Sequence, residues 1–420
     1  MQRKKLADIC PITGEETAVL KGAAEPLMAW YDGAKRDLPW RRDITPYRVW
    51  LSEIMLQQTR VEAGREYFLR FTETLPDVET LANVPDELLM KLWEGLGYYN
   101  RARNLKKAAG VVMEQYGGQL PSTYEELLGL PGIGPYTAGA ISSIAFGRQR
   151  PAVDGNVLRV VMRLLGRYDD IARDSVKKAV EDALLEVMKE GEAYRRPGDF
   201  NQSLMELGAI VCIPNGQPRC DDCPWAEVCA AKAQNIAMEL PVKQTKKQRR
   251  IEEKTVLLLW DQEDRLLLHR RDGKGLLAGL WELPSLPGKL DLEEVNRILA
   301  EGEGQALVGD VSQTLAEEGA SRMVTALRPA GEATHIFSHV EWHMTAFEGI
   351  LQAKEDPTPG ERSTVRKSSA RGVAEEPRPY LRDVKEETPR WMRASRQQIR
   401  DEVALPSAFK GFRSRILGES

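Results

Sequence analysis

The feature that most constrains this chain is a change in the spacing of its apolar residues near position 254. Upstream, from about Ala23 to Ala237, they recur at helical spacing, as in Val180, Ala183, Leu184, Val187 and Met188. Short breaks rich in Gly and Pro separate these segments: GLGYYNR at Gly95–Arg101, LPGIGPYT at Leu130–Thr137 and PAVDGN at Pro151–Asn156. Downstream, TVLLLW (Thr255–Trp260), RLLLHR (Arg265–Arg270), LWELP (Leu280–Pro284) and HIFSHVEWHMTAFEGIL (His335–Leu351) read as strands. Helical stretches near 290–300 and 311–320 fall between them. A helical half and a sheet half need separate cores, and 420 residues suffice for both.

The chain therefore divides into an N-terminal extension (1–22), a helical domain (23–237), a basic linker (238–253) and a mixed α/β domain (254–420). VKQTKKQRRIEEK, Val242–Lys254, reads first as a solvated linker and second as a linker that lies along a phosphate backbone. Within the last domain, 353–388 is rich in Pro, Glu, Arg and Ser and reads as an exposed insertion.

A net charge of −4 means that any nucleic-acid binding has to come from local patches and oriented backbone groups. No apolar run approaches the roughly 20 residues of a membrane span. The opening MQRKKLADICPITGEET lacks an apolar core behind its basic residues, and Asp8, Glu15 and Glu16 argue against an organellar presequence. A cytoplasmic protein with no membrane partner is expected. Of five cysteines, Cys10 stands alone, while Cys212, Cys220, Cys223 and Cys229 fall within 18 positions. In a reducing compartment such a group suggests metal ligation before disulfides. Its C-x7-C-x2-C-x5-C spacing suits tetrahedral zinc or a [4Fe-4S] cluster and does not choose between them.

Three further features carry chemistry. In LPGIGPYTAGAI, Leu130–Ile141, Gly132 and Gly134 permit a tight turn and close approach to another backbone. The turn leads into a helix start, whose free N–H groups can hold a phosphate without Lys or Arg. Alone, it would also suit an ordinary helix connection. Asp154 lies 20 residues beyond Gly134 and reads as an N-cap, with Gly155 and Asn156 opening the next helix and N–H groups favouring its ionised form. Glu53 sits among Trp50, Leu51, Ile54 and Met55. It reads either as a partly buried carboxyl with raised proton affinity, as a general acid requires, or as a surface glutamate paired with Arg48 or Arg60.

Together the hairpin, the Gly/Pro loop and the aspartate resemble the signature of endonuclease III-like helix-hairpin-helix DNA glycosylases. LPWRRDITPYRVWLSEIMLQQTRV, Leu38–Val61, resembles the MutY family in particular. LLLHRRDGKGLLAGLWELP, Leu266–Pro284, is similar to the MutT-like domain appended to those proteins. The resemblance implies a multidomain fold: an all-α glycosylase domain (hairpin 127–145, iron-sulfur module 206–230), then a mixed α/β, Nudix-fold recognition domain. It implies excision of adenine mispaired with 8-oxoguanine or guanine in double-stranded DNA, by a protein expected to act as a monomer.

The family's site residues carry over onto matching positions. Asp154 would be the catalytic carboxylate, with Asn156 beside it, and Glu53 the proton donor to the base. Tyr136 stands where lyase relatives carry the lysine that forms a Schiff base with the sugar. A phenol cannot form an imine, so a monofunctional glycosylase is expected, with Tyr136 hydrogen-bonded to Asp154. Leu56, Gln58 and Tyr98 would wedge the DNA, with Gln57 also in the DNA-binding set. Trp40, Arg41 and Glu206 would line the base pocket, and Gly132 and Gly134 would meet a phosphate. The superfamily's C-x6-C-x2-C-x5-C run carries a [4Fe-4S] cluster; the extra residue here falls in the loop IPNGQPR, so the cluster is expected on Cys212, Cys220, Cys223 and Cys229, with zinc the alternative. Phe337, Ser338 and His339 match the family's loop for 8-oxoguanine, and SLPGKLDLEEVNRILAEGEG lacks the REXXEE pattern of a Nudix hydrolase.

Two other readings stand beside this one. A bifunctional endonuclease III-like glycosylase/lyase is disfavoured by Tyr136 and the MutT-like half. A catalytically inactive DNA-binding scaffold is disfavoured by the presence of both Glu53 and Asp154.

Overall fold

The computed structural model describes residues 11–243, 248–301, 324–351 and 391–419. It contains two compact units that divide between 247 and 248. The helices of the first are α1 (Gly14–Ala34), α2 (Pro39–Arg42), α3 (Pro46–Leu56), α4 (Val61–Thr74), α5 (Val78–Asn83), α6 (Asp86–Leu92) and α7 (Asn100–Tyr116). They continue as α8 (Tyr124–Leu128), α9 (Pro135–Ile144), α10 (Gly155–Leu165), α11 (Asp174–Val187), α12 (Gly191–Arg195), α13 (Pro197–Ile210) and α14 (Ala230–Ala233).

The first helix starts earlier than its apolar pattern suggests. Thr13 Oγ1 accepts from the Glu16 N–H at 3.1 Å, and Glu16 accepts from the Thr13 N–H at 2.7 Å. This capping box satisfies two of the orphan donors of a helix start. Leu20 and Ala23 are already buried, so 14–22 belong to the core helix and not to an extension. Leu20, Leu27, Val157, Val161, Leu184, Phe200 and Leu207 join one core, which gathers α1, α10, α11 and α13.

The two hairpin glycines do different work. Gly132 has φ +78°, and a Cβ there would stand 2.7 Å from the Asn104 Cβ. Gly134 is extended and caps α9, with Pro135 in the first turn, where its missing N–H costs nothing. Three other glycines bring the site's helices together. A Cβ on Gly139 would lie 2.2 Å from the Pro151 carbonyl oxygen, on Gly198 2.7 Å from the Ile144 Cα, and on Gly208 2.8 Å from the Asn156 Cβ.

The second unit is a mixed sheet of β1 (Arg250–Trp260), β2 (Arg265–Arg270), β3 (Trp281–Glu282), β4 (Ser285–Pro287), β5 (Val324–Ile336), β6 (Val340–Leu351) and β7 (Trp391–Ser395). The order is β3-β2-β1-β6-β5, with β4 also on β1 and β7 on β2. β1 and β6 run parallel from Arg250↔Val340 to Trp260↔Ile350, and the other pairs are antiparallel. Val256 and Leu258 face one core and Leu257 and Leu259 another, which explains an uninterrupted apolar run in a central strand.

Three sequence expectations change here. β1 begins at Arg250, inside the expected linker: its first residues are mostly charged and none is buried, yet they are paired with β6. The single run expected over 335–351 is a hairpin, with Phe337–His339 as its turn. LWELP is a strand only at Trp281–Glu282, and β4 follows it at Ser285–Pro287. The helix expected near 290–300 is present at Leu292–Glu301. The stretch 311–320 lies outside the described residues, as does the whole of the expected insertion 353–388. Among the described residues, no helix is long and apolar enough to cross a membrane.

Candidate active site

α3 is capped by Thr45, opened by Pro46 and buried on nearly every face, from Tyr47 through Met55. A helix so enclosed takes its polar residue inside with it. Glu53 is only 9% exposed, and its Oε2 accepts a 2.6 Å hydrogen bond from the Tyr136 hydroxyl. Burial pushes Glu53 up to about 7; the Tyr136 bond opposes this and the charge of Asp154 adds to it. The surface pairing with Arg48 or Arg60 is not what forms. Arg48 lies instead 3.7 Å from Asp43 and over the Phe68 ring.

Tyr136, on α9, was expected to face Asp154. Its hydroxyl donates to Glu53 instead and also lies 3.7 Å from the Met205 sulfur of α13. Burial, then the neighbouring Glu53 charge, hold the phenol well above its ordinary range, so it stays a donor. Asp154 nevertheless belongs to the same electrostatic site, since its charge acts on both Glu53 and Tyr136.

Asp154 is the N-cap of α10. Its Oδ1 accepts from the N–H groups of Asn156 (2.9 Å) and Val157 (2.8 Å), and its Oδ2 from the Asn156 side-chain amide (2.8 Å). Burial raises its proton affinity, and these three donors oppose that rise. All three are N–H groups, which fit an acceptor-only carboxylate. The N-cap role and a place in the site are one arrangement. The loop before it is pinned by Asn201, fully buried, which accepts from the Ala152 N–H at 2.9 Å and donates to Ser143 Oγ and the Arg150 carbonyl, both at 2.8 Å. Asn156 in turn accepts from Arg159, whose guanidinium also reaches the carbonyls of Gly208 and Cys212.

Glu206 of α13 is 1% exposed and fully engaged. Arg36 donates to it from Nε (2.7 Å), Nη2 (3.1 Å) and the backbone (3.0 Å), and Arg41 from Nη2 (2.8 Å). Burial pushes this carboxyl up, but the hydrogen bonds of Arg36 and then Arg41 overcome it and hold it at about 2. Arg41 also donates to Gln202 Oε1 at 3.0 Å. Trp40 is buried edge-on against Phe68, with ring centroids 5.4 Å apart.

Of the expected wedge, Gln58 and Tyr98 are exposed. Leu56 is half-buried, its Cδ2 2.8 Å from where a Cβ on Gly64 would sit. Gln57 turns inward and donates to Thr137 Oγ1 at 3.3 Å, tying the end of α3 to α9. Arg36, Gln202, Asn201 and Met205 were not singled out from sequence. Each acts through a partner more than 40 residues away, which no local pattern reveals.

Cys212, Cys220, Cys223 and Cys229 are free thiols that line one cavity together with Arg163. Arg163 Nη1 donates to the Cys212 sulfur at 3.3 Å. Among the described residues, no three His, Cys, Asp or Glu close around a single point as one metal ion would require. In the second unit, the Phe337 ring packs between His335 and Trp342, at 4.5 and 4.9 Å. Ser338 and His339 are exposed on the turn, 3.3 Å from each other through Oγ and Nδ1.

Comparison with known proteins agrees with this division. Residues 51–187 match the family model for the HhH-GPD superfamily of base excision DNA repair proteins, and 255–411 match that for the NUDIX domain. The chain is 35% identical over 394 residues to the adenine DNA glycosylase of Homo sapiens, covering 80% of this chain and 69% of that one. To the adenine DNA glycosylase of Rattus norvegicus it is 35% identical over 380 residues, covering 78% and 70%. To that of Schizosaccharomyces pombe it is 33% identical over 393 residues, covering 78% and 81%. Among solved structures, that of a thermostable thymine-DNA glycosylase is 28% identical with a TM-score of 0.45, covering 52% of this chain and 98% of that one.

Proposed function

The chain belongs to the adenine DNA glycosylase family, and from that membership we propose that it excises adenine opposite 8-oxoguanine or guanine in duplex DNA without cutting the strand. The observation that carries this reading is the Tyr136–Glu53 hydrogen bond in a site that Asp154 also charges. It joins a phenol that cannot form an imine, a carboxyl that keeps a proton near neutral pH and a carboxylate held by amides.

Adenine is a poor leaving group until it is protonated. Glu53, with its proton affinity raised to about 7, donates to a ring nitrogen, N7 by family analogy, so that the base departs neutral. Departure leaves positive charge on the sugar. Asp154 stabilises it in the ionised form that its three N–H donors suit. Glu53, now deprotonated, takes a proton from the attacking water. Burial raises both carboxyls, but three N–H donors oppose the rise at Asp154 and one phenol opposes it at Glu53, and on that difference the two divide the electrostatic and the acid role between them. The adenine first leaves the stack, at a cost of a few kcal/mol, and Gln58 and Tyr98 fill the space.

The four thiols hold a [4Fe-4S] cluster in this reading. All four line one cavity, and four thiolates are the ligand set that such a cluster takes. Held there, it would act structurally, with Cys212 at the end of α13 tied to Cys220, Cys223 and Cys229 in the segment before α14. Ser338 and His339 offer a donor and an acceptor to the oxidised edge of 8-oxoguanine, while Phe337 anchors their turn. The site of action is chromosomal DNA in the cytoplasm, where the protein works as a monomer.

The pure protein, given a duplex with adenine opposite 8-oxoguanine, should release adenine and leave an abasic strand that breaks only on treatment with base or heat. Prompt nicking, or release that survives Glu53→Gln undiminished, would contradict the reading. The purified protein should also be brown, with visible absorption from the cluster.

A further inference from the structure

Two exposed residues beside the site carry strained backbone, and one half-buried side chain reaches both of their loops. Gln58, just beyond α3, has φ +58°, and Tyr98, in the break before α7, has φ +48°. Residues with a Cβ seldom adopt this region, and do so where their surroundings impose it. Arg101, in the first turn of α7, turns its guanidinium inward. Nη1 donates to the carbonyls of Ile54 (2.9 Å), Met55 (3.1 Å) and Gln57 (2.5 Å), and Nη2 to those of Leu96 (3.0 Å) and Gly97 (3.1 Å).

This is an unusual place for a cation. Among the described residues no carboxylate pairs with Arg101, and burial lowers its proton affinity to about 10. What offsets the lost hydration is five charge-assisted bonds and the rings of Trp93 and Tyr98, 5.4 and 5.5 Å away. One set of carbonyls belongs to the last turn of α3, where the helix leaves acceptors unpaired and a positive charge is favoured. The other belongs to the loop that carries Tyr98. The fork therefore spans two loops, one on each Nη.

We propose that Arg101 is a positioning residue that locks the loops of Gln58 and Tyr98 into one preformed wedge, so that both enter the DNA together as adenine is extruded. The proposal rests on the functional reading above. A wedge compensates for lost stacking only if its own order is established beforehand; loose loops would have to be ordered at the moment of extrusion. Arginine suits the task because its planar fork addresses two sets of acceptors at fixed separation. The single ammonium of lysine does not.

The test is single-turnover excision by wild type, Arg101→Lys and Glu53→Gln on two duplexes. In one, adenine lies opposite 8-oxoguanine. In the other it lies opposite a tetrahydrofuran abasic analogue, where no paired base resists extrusion. Relative to wild type on the same duplex, Arg101→Lys should be slower by about ten- to a hundredfold on the first and within about threefold on the second. The pH dependence of its rate should follow wild type, because Glu53 and Tyr136 keep their bond. Glu53→Gln should fail on both duplexes. Equal losses on both by Arg101→Lys, or no loss on either, would overturn the proposal. A wild type inactive on both would overturn the functional reading, and with it this one, a pattern distinct from the other two.

Discussion

Two glutamates in the helical unit are almost equally hidden from water, yet their surroundings drive them in opposite directions. Glu206, 1% exposed, faces two guanidinium groups and is held at about 2; Glu53, 9% exposed, is pushed up to about 7 by burial, opposed by the Tyr136 phenol and aided by the charge of Asp154. Burial alone would raise both. The difference teaches that the partner, and not depth, decides which buried carboxyl keeps a proton. Glu206 is spent on joining α13 to the chain around Arg36 and Arg41, whereas Glu53 keeps a transferable proton.

The strongest way to break this comparison is Glu53→Gln. It preserves the shape and removes the transferable proton, so single-turnover excision should fall by about a hundred- to ten-thousandfold. Retained activity would make Glu53 a second structural glutamate.

The next effect is on stability. Glu53 holds its proton to about 7 in the folded state but releases it near 4.5 when unfolded. Its contribution is therefore complete below 4.5 and is lost as pH rises through 7. Glu53→Gln escapes that loss. From pH 4 to pH 8 its unfolding free energy should gain on that of wild type by about 3 kcal/mol, read from denaturant midpoints.

Glu206 should behave with the opposite sign. Its lowered value makes its contribution present above 4.5 and lost as pH falls toward 2. Arg36→Met removes two of its donors, Nε and Nη2, while keeping the backbone N–H and the aliphatic stem, and should destabilise the protein by about 2 kcal/mol at pH 7. That deficit should shrink steadily below pH 4.5.

The smallest effect sharpens the Glu53 side. The Tyr136 hydrogen bond favours the ionised carboxylate, so Tyr136→Phe should raise the proton affinity of Glu53 further. The alkaline fall of the excision rate should move to higher pH by about one unit. A shift to lower pH would mean that the phenol supports the protonated form.

How much of this could be read from sequence differs between the two glutamates. The burial of Glu53 was legible, because Trp50, Leu51, Ile54 and Met55 surround it on one short helix. The state of Glu206 was not, because its partners Arg36 and Arg41 lie 170 and 165 residues away and meet it only through the packing of α13. Tyr136 was read toward Asp154 because both belong to one continuous motif. In the fold, α3 lies against α9, and the phenol meets Glu53 instead. The close approaches of Gly139 to Pro151, Gly198 to Ile144 and Gly208 to Asn156 were hidden too, because none of these glycines carries a local turn signal. In the second unit, the apolar end of β1 was legible from LLLW. Its polar start at Arg250 was hidden, since a charged strand end and a charged linker have the same composition.

The central claim is that Glu53 enters catalysis with its proton in place. Carbon-13 labelling of the glutamate carboxyls and NMR titration of wild type against Glu53→Gln would test it most directly. One carboxyl resonance, missing in the variant, should titrate near pH 7. If the resonance removed by the substitution titrates at or below 4.5, the acid that protonates adenine is not Glu53.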